Sequence, residues 1–426
     1  MKIIHTSDWH LGARLHEEDR APEHQAFLEW LLGQIKAERP DALLVAGDVF
    51  DSAAPSASAL KLYHEFVVRA IHDAGCPHVI ITGGNHDSPS WLGMSKPALE
   101  CMGASVVPAG EDEVERECVF VERDGRPALA VAAVPYLRES ELANLARRED
   151  ETRPHDELVR AGLAEHCRRV VEAARVKAGT APVVMMGHCV LSGSTVSDDV
   201  SERQRGISRD AVVGGVKSVD LDALPAVDYL ALGHLHVPQK VAGRDTARYS
   251  GSPIPMSFSE VGTPKQILVV TLGEKSGDAV TVVERMVPCF HALAHIEGAP
   301  EEIAARLEEL AHENAPVFVD VVVTRGEGDL APWWAKFAAL ASEHPEVKIL
   351  VERDRRETVA PGAALEDIAS ADGELAKLDE MAIARARLAE ENLTDADRRA
   401  FAEMLADVIA EVKAGGDESD TRRNEA

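Results

Sequence analysis

Seven polar side chains of the kinds that bind divalent metal ions stand directly after short apolar runs in this sequence. They are Asp8, His10, Asp48, Asn85, His188, His234 and His236. Carboxylate and amide oxygens mixed with imidazole nitrogens suit first-row divalent ions such as manganese, zinc or iron. Because none of the seven is a cysteine, a structural zinc site is disfavoured. The set predicts a catalytic metal centre.

The spacing of these side chains divides them between two ions. Asp8 and His10 stand two residues apart at the end of an apolar run, so both side chains leave on the same side, and His234 and His236 repeat that arrangement. A carboxylate shared by two ions about 4 Å apart is the usual arrangement for phosphoester hydrolysis. Asp48 is the natural bridge. The predicted assignment gives one ion Asp8, His10 and His236, and the other ion Asn85, His188 and His234.

His86 and Asp87 extend the predicted metal centre with acid chemistry. His86 directly follows Asn85, so we do not expect it to bind the same ion. Its predicted role is general acid to the leaving oxygen, with its ring oriented by a carboxylate, that of Asp87 or Asp51. The alternative is that His86 only braces the loop. Five other histidines have no comparable context, and we expect surface or packing roles for them: His5, His16, His24, His64 and His72.

Five short apolar runs must position the metal-binding side chains. They are Ile3-Ile4, Ala42 to Ala46, Val79 to Thr82, Val183 to Met186 and Tyr229 to Leu232. Runs this apolar are typical of strands buried on both faces. Segments with helical spacing lie between the early runs, and one of them contains Phe27, Leu31 and Ile35. Alternating strands and helices predict a layered α/β core, in which ligands gather outside the carboxyl ends of the strands.

Changes of pattern along the chain predict four segments. Residues 1–285 carry all the predicted ligands, and residues 286–360 form a smaller α+β unit without ligand-rich turns. Residues 361–414 are predicted to be helical, and residues 415–426 to be a disordered tail. One predicted helix carries an apolar stripe that it cannot bury alone. The stripe could pack on the core of the chain itself, but we expect it to dock on a partner. The stripe consists of Phe401, Met404, Leu405, Val408, Ile409 and Val412.

Composition limits the classes of function. The net charge is −28, and an acidic chain repels nucleic acid unless basic residues cluster or metal ions supply positive charge. Six scattered cysteines without a CxxC pair indicate reduced thiols, as in cytoplasmic proteins. The first residues do not read as a secretory signal peptide, and no apolar run is long enough to span a bilayer.

The turns that carry the predicted ligands resemble the signature of the calcineurin-like metallophosphoesterases. The matching stretches are Ser7-Asp8-Trp9-His10-Leu11-Gly12, Gly47-Asp48-Val49-Phe50-Asp51, Gly84-Asn85-His86-Asp87, Gly187-His188 and Gly233-His234-Leu235-His236. Two stretches, from His5 to Gly12 and from Tyr249 to Pro255, resemble more narrowly the SbcD family of bacterial nuclease subunits. This resemblance implies a sandwich of two sheets flanked by helices, with an α+β capping domain and C-terminal helices.

The same resemblance implies an activity and partners. The activity is that of an Mn²⁺-dependent, ATP-regulated 3′–5′ exonuclease on double-stranded DNA ends, with endonuclease activity at hairpins, in repair, recombination and replication. The expected partner is an SbcC-type ATPase, whose coiled coil would receive the apolar stripe. A homodimer within a heterotetramer is expected, in the cytoplasm and at the nucleoid when bound to DNA. Segment 194–210, polar and of mixed charge, is either a solvated loop or a substrate-facing one.

Two other functions stay open. The first is another hydrolase of the superfamily, such as a protein phosphatase or a nucleotide phosphodiesterase. Protein phosphatases of this type carry Arg where this chain has Ser52, and Glu where it has Asp87, and both differences count against them. The second is a non-catalytic binding subunit, which would be expected to lose ligands, whereas all seven are present.

Overall fold

The computed structural model describes most of the chain as far as residue 355, in the ranges 1–147, 154–192, 194, 219–313, 315–326 and 328–355. The predicted partner-binding stripe, the predicted helices and tail after residue 360, and all of segment 194–210 except Ser194 therefore lie outside the described residues. Among the helices that are described, none has both the length and the apolar character needed to cross a membrane.

Strands and helices alternate through most of the described chain. The strands are β1 (Lys2–Thr6), β2 (Arg14–Leu15), β3 (Glu18–Asp19), β4 (Ala42–Ala46), β5 (Val79–Thr82), β6 (Ala104–Val107), β7 (Cys118–Arg123), β8 (Arg126–Ala133), β9 (Val183–His188), β10 (Tyr229–Gly233), β11 (Gln239–Val241), β12 (Arg244–Tyr249), β13 (Gln266–Thr271), β14 (Thr281–Met286), β15 (Ala292–Gly298), β16 (Val317–Val323) and β17 (Val347–Asp354). The helices are α1 (Ala21–Glu38), α2 (Ala57–His72), α3 (Pro89–Gly93), α4 (Lys96–Glu100), α5 (Glu139–Arg147), α6 (His155–Ala178), α7 (Pro300–Glu313) and α8 (Ala331–Glu343).

Two six-stranded sheets form the centre of the fold. The first has the strand order β14-β13-β1-β4-β5-β6, and the second has the order β11-β12-β10-β9-β8-β7. Strands β1, β4, β5 and β6 are parallel to one another, as are β8, β9, β10 and β12. Because parallel strands end at the same edge of a sheet, the turns after β1, β4 and β5 are neighbours, and so are those after β9 and β10.

Both faces of the central strands are buried, which explains their apolar composition. Leu43 and Val45 of β4 belong to an apolar cluster with Phe27 of α1. The alternate residue Leu44 belongs, with Val184 of β9, to the cluster between the two sheets. Helix α6 covers the outer face of the second sheet. The order helix, sheet, sheet, helix confirms the layered α/β class that the sequence predicts.

A third, three-stranded sheet follows the two large ones. Its strands β15, β16 and β17 are parallel and adjacent in that order, with α7 and α8 between them. A separate apolar cluster fills this unit, including Leu307, Val319 and Phe337. The sequence predicts β16 and β17 but not β15. With β15 present, the predicted α+β unit is corrected to an alternating unit with a parallel sheet. By internal contacts residues 1–355 form one compact unit, and the predicted boundary at residue 285 stays a prediction.

Candidate metal centre

All seven predicted ligands converge at the carboxyl ends of the parallel strands. Three groups have ligand atoms within 4.8 Å of one another, namely Asp8 with His10 and His236, His10 with Asp48 and His86, and Asp48 with His188 and His234. Asn85 joins the last group, because its Oδ1 lies 3.0 Å from His188 Nε2 and 2.9 Å from His234 Nδ1. Asp48 is shared by two of the groups.

The turns that carry the ligands have backbone conformations that are rare for residues with side chains. Four ligand residues have positive φ angles: Asp8 at 53°, His10 at 47°, Asp48 at 49° and His234 at 97°. Each such conformation costs on the order of 1 kcal/mol and persists only where the surroundings enforce it. Here the turns after β1 and β4 bond to each other, since the Asp8 N–H donates to Gly47 O and the His10 N–H donates to Asp48 O, both at 3.0 Å.

Gly84 lets the turn after β5 lie directly against Asp48. A Cβ at Gly84 would be 2.1 Å from Asp48 Oδ1 and 2.2 Å from the Asp48 nitrogen, so a side chain at this position is excluded. The main-chain N–H of His86 donates to the same Oδ1 at 2.9 Å. Because glycine has no side chain, Asn85 and His86 can lie beside the predicted bridging carboxylate.

Asp87 holds two ligand turns together and does not orient His86. Its carboxylate accepts hydrogen bonds from three main-chain N–H groups, those of Val49 at 3.1 Å, Phe50 at 2.9 Å and Gly84 at 2.9 Å. The Nδ1 of His86 lies 2.8 Å from the carbonyl oxygen of Asp51, so this carbonyl orients the ring. Main-chain donors thus occupy both oxygens of Asp87, which favours a structural role, and its predicted catalytic role stays a prediction.

The centre is electrostatically built for a cation. Burial would raise the pKa of Asp48, but nearby His188 and His86 hold it well below its usual value. Burial would lower the pKa of His188, but the charge of Asp48 raises it to about 9. Burial raises the pKa of Asp8 to about 6. Carboxylates and imidazoles thus compete for protons in a space where a metal cation would satisfy both.

Acceptor atoms that face one another show that these residues fit a divalent ion. His188 Nδ1 lies 2.9 Å from Ala46 O and donates its proton there. His188 Nε2 therefore points at Asp48 Oδ2, at 3.2 Å, and at Asn85 Oδ1, at 3.0 Å. Two oxygen acceptors and a ring nitrogen this close repel one another unless a proton or a metal cation lies among them.

Two further residues, which the sequence did not predict, lie behind the ligands. Glu260, 1% exposed, places Oε1 3.4 Å from His236 Nδ1. Ser7 donates to the Oδ2 of Asp8. A glutamate in a polar turn looks like a surface residue, and its only signal in the sequence is the preceding Tyr249–Pro255 stretch.

Comparisons with known proteins agree with this geometry. The family model described as calcineurin-like phosphoesterase matches residues 1–238, and the one described as type 5 capsule protein repressor C-terminal domain matches residues 289–392. The SbcD subunit of the nuclease SbcCD from Escherichia coli (strain K12) is 32% identical over 360 residues, which are 84% of this chain and 86% of the relative.

Two further relatives bear the same name. The SbcD subunit from Rhodobacter capsulatus is 32% identical over 361 residues, covering 83% of this chain and 84% of the relative. That of Bacillus subtilis (strain 168) is 32% identical over 330 residues, covering 76% and 79%. Among solved structures, a β-glucosidase from Exiguobacterium marinum aligns with 83% of this chain and 89% of its own at 10% identity and a TM-score of 0.22. A score this low carries no argument.

Proposed function

The chain belongs to the calcineurin-like phosphoesterases and, within them, to the SbcD family of SbcCD nuclease subunits, and from this premise we propose that it is the metal-dependent nuclease subunit of an SbcCD complex. The observation that carries the proposal is the convergence of two carboxylates, one amide and four imidazoles around Asp48. A centre of this kind hydrolyses phosphodiester bonds.

The ligands divide between two ions as their grouping suggests. When bound, two divalent ions, most suitably Mn²⁺ for these donors, supply an activated water and neutralise charge on the phosphate. Asp48 contacts both groups, since its Oδ2 lies 3.2 Å from His188 Nε2 and 3.7 Å from His10 Nε2. Asp8, His10 and His236 would hold one ion, and Asn85, His188 and His234 would hold the other.

His86 gives a proton to the leaving oxygen. Its Nδ1–H is engaged by the Asp51 carbonyl, which leaves Nε2 for the substrate. Burial would lower the pKa of His86, but the charge of Asp48 and the Asp51 carbonyl raise it. The protonated imidazole is the form that can act as a general acid.

Double-stranded DNA ends and hairpins are the proposed substrates, cut from 3′ to 5′ at ends under control of an SbcC-type ATPase. This follows from family membership. The isolated chain should bind DNA weakly and lose it as salt rises, because its net charge is −28. We place the protein in the cytoplasm, and at the nucleoid while it is bound to DNA.

A homodimer has a candidate surface beside α3. Trp91 is 40% exposed and Met94 is 60% exposed, and both residue types are enriched at protein interfaces. The adjacent Ser95 is tied to α2 by the His64 ring, whose Nε2 lies 2.7 Å from the Ser95 hydroxyl. This hydrogen bond connects the segment after α3 to α2 and so helps to fix the position of the candidate surface.

The assay compares substrates and metals. Full-length chain with Mn²⁺ should release nucleotides from end-labelled blunt duplex, faster with an SbcC-type ATPase and ATP, and a chelator should abolish the release. Closed circular duplex is the matched control and should be cut more slowly. If the metal-loaded protein hydrolyses only a small phosphoester, it is another phosphodiesterase of the superfamily, and if it hydrolyses neither substrate, it is a binding subunit.

The partner-binding stripe is tested in the full chain. Leu405→Glu should abolish co-purification with the ATPase while leaving Mn²⁺-dependent cleavage of simple duplex intact, because a charge at this position prevents an apolar face from docking. Ala410→Glu, which helical spacing predicts on the face opposite the stripe, is the matched control. If Leu405→Glu and Ala410→Glu bind the ATPase equally well, the stripe does not dock on it.

A further inference from the structure

Behind His236 lies a buried ion pair that has no direct part in hydrolysis. Glu260 Oε1 lies 3.4 Å from His236 Nδ1, and Glu260 Oε2 accepts from the ammonium of Lys265. The other ring nitrogen of His236, Nε2, faces His10 Nε2 at 3.1 Å. One ring nitrogen of His236 thus faces the other ligands, and the second lies within ion-pair distance of a carboxylate. Such a carboxylate fixes the tautomer and orientation of a metal-binding imidazole and increases its basicity.

Lys265 fixes the main chain of His236 as well. Besides Glu260, its ammonium donates to the carbonyl oxygen of His236 and to Ser252 Oγ, each at 3.0 Å. All three ammonium protons are therefore used, as a buried cation requires. The Ser252 N–H also donates to His236 O, at 3.2 Å. The same pair of charged residues holds both the ring and the backbone of this ligand.

The stretch that contains Ser252 also reaches Asp8. Ser250 Oγ lies 2.8 Å from Ser7 Oγ, and Ser7 gives its one hydroxyl proton to Asp8, so Ser250 is the donor to Ser7. Gly251, between the serines, has a φ of 76°, and a Cβ there would lie 2.7 Å from His236 O. A single stretch of chain therefore supports Asp8 and His236, which share one group of ligands.

The ligands of the other group are held differently. The ring of His188 donates to the carbonyl oxygen of Ala46, at 2.9 Å, and His234 Nδ1 lies against Asn85 Oδ1 at 2.9 Å. The Ala46 carbonyl is fixed by strand β4 and carries no full charge, whereas Glu260 is a carboxylate. The histidine ligands of the two proposed ions are therefore oriented by different groups, a neutral carbonyl in one case and a carboxylate in the other.

We propose that Glu260 is a positioning residue for the ion held by Asp8, His10 and His236, and that Lys265 and Ser252 keep it in place. The affinity of this ion then depends on Glu260, whereas His188 and His234, which hold the neighbouring ion, have the other contacts described above. This inference rests on the two-ion function proposed above and adds what determines the occupancy of one of the two sites.

The test is Mn²⁺ binding to the full chain, measured by calorimetry and by electron paramagnetic resonance. Glu260→Gln should weaken one of two sites by about 10- to 100-fold, the range for partners of metal ligands, and leave the other site unchanged. At intermediate Mn²⁺ the signal of a coupled ion pair should give way to that of a single ion. Glu274→Gln makes the same chemical change at an exposed position and should bind as the unaltered chain does.

A second variant separates positioning from simple charge balance. Glu260→Gln leaves Lys265 buried without its counter-charge, whereas Glu260→Gln with Lys265→Met removes both charges. The double variant should regain thermal stability in metal-free buffer and keep the single weak site. The positioning role would be overturned if the double variant regained the Mn²⁺ affinity of the weakened site. It would also be overturned if Glu260→Gln weakened both sites equally. If the unaltered chain bound no Mn²⁺, the proposed function itself would fail.

Discussion

Replacing Asp87 tests whether its carboxylate is structural. Asp87→Ala leaves three main-chain donors without their acceptor, in a place where Asp87 is only 7% exposed. An unpaired buried donor costs about 2 kcal/mol, so three cost about 6 kcal/mol. Burial raises the pKa of Asp87 to about 6, so its ionised form is held at a cost of about 3 kcal/mol at neutral pH, which the substitution recovers. The free energy of unfolding should therefore fall by about 3 kcal/mol.

Asp87→Asn is the matched variant. With the amide oxygen in the place of Oδ2, it still accepts from the Val49 and Gly84 N–H groups, and only the Phe50 N–H loses its acceptor. The single lost acceptor is offset by removal of the buried charge, so the variant should unfold within about 1 kcal/mol of the unaltered chain.

Urea unfolding in metal-free buffer at pH 7 measures both variants. Tryptophan fluorescence is a suitable reporter, because Trp9, one of the five tryptophans, is buried one residue from Asp8. A graded loss, large for Ala and small for Asn, supports the structural role. The structural role would be refuted if Asp87→Ala unfolded at the same urea midpoint as the unaltered chain yet had lost nuclease turnover. That result would support the catalytic role that the sequence predicts.

Three further predictions concern metal content, chemistry and acid stability. Asp48→Ala should lose both Mn²⁺ ions and Asp8→Ala mainly one, by metal analysis, and two full equivalents in Asp48→Ala would contradict the bridge. His86→Gln should keep both ions and slow single-turnover cleavage by about a hundredfold or more; an unchanged rate, or lost manganese, would contradict the acid role. Burial lowers the pKa of His24 from 6.5 to about 3. Between these two values the unfolded chain binds the proton and the folded chain does not. The free energy of unfolding therefore decreases as the pH is lowered below 6.5, by about 2 kcal/mol at pH 5. His24→Leu should lack that part of the loss in unfolding measured at pH 7 and 5, and an unchanged pH dependence would contradict it.

The convergence of the ligands could be predicted because it follows from strand geometry. Runs such as Leu43 to Val45 are apolar at every position, which indicates burial on both faces, and that burial places helices and a second sheet around them. Parallel strands then bring their carboxyl ends together. No further information is needed to expect Asp8, Asp48 and Asn85 at one edge.

The roles of the supporting residues could not be predicted, because they depend on contacts between distant turns. Asp87 is bound by donors from residues 49 and 50, and Glu260 lies 24 positions after the histidine that it supports. Both carboxylates are of a type that is usually exposed. Only the three-dimensional path of the chain shows that they are enclosed.

Strand β15 was missed for a different reason. Its sequence, Ala292–Gly298, contains two alanines, a glutamate and a glycine, residues with little intrinsic preference for strands. It forms by pairing along its whole length with the valine-rich β16. Tertiary pairing therefore overrides a weak local preference, and the alternation that results changes the class of the small unit.

An acidic chain and a nucleic-acid substrate are compatible because of where the charges lie. The net charge of −28 opposes approach of DNA to the protein as a whole. At the centre, the charge of Glu260 is matched by Lys265, whereas Asp8 and Asp48 belong to the groups of ligand atoms. Two divalent ions bound there would more than neutralise these two carboxylates and would favour the approach of a phosphate. Phosphate would then be attracted over short distances, at the metal-loaded site, even though the chain as a whole is acidic.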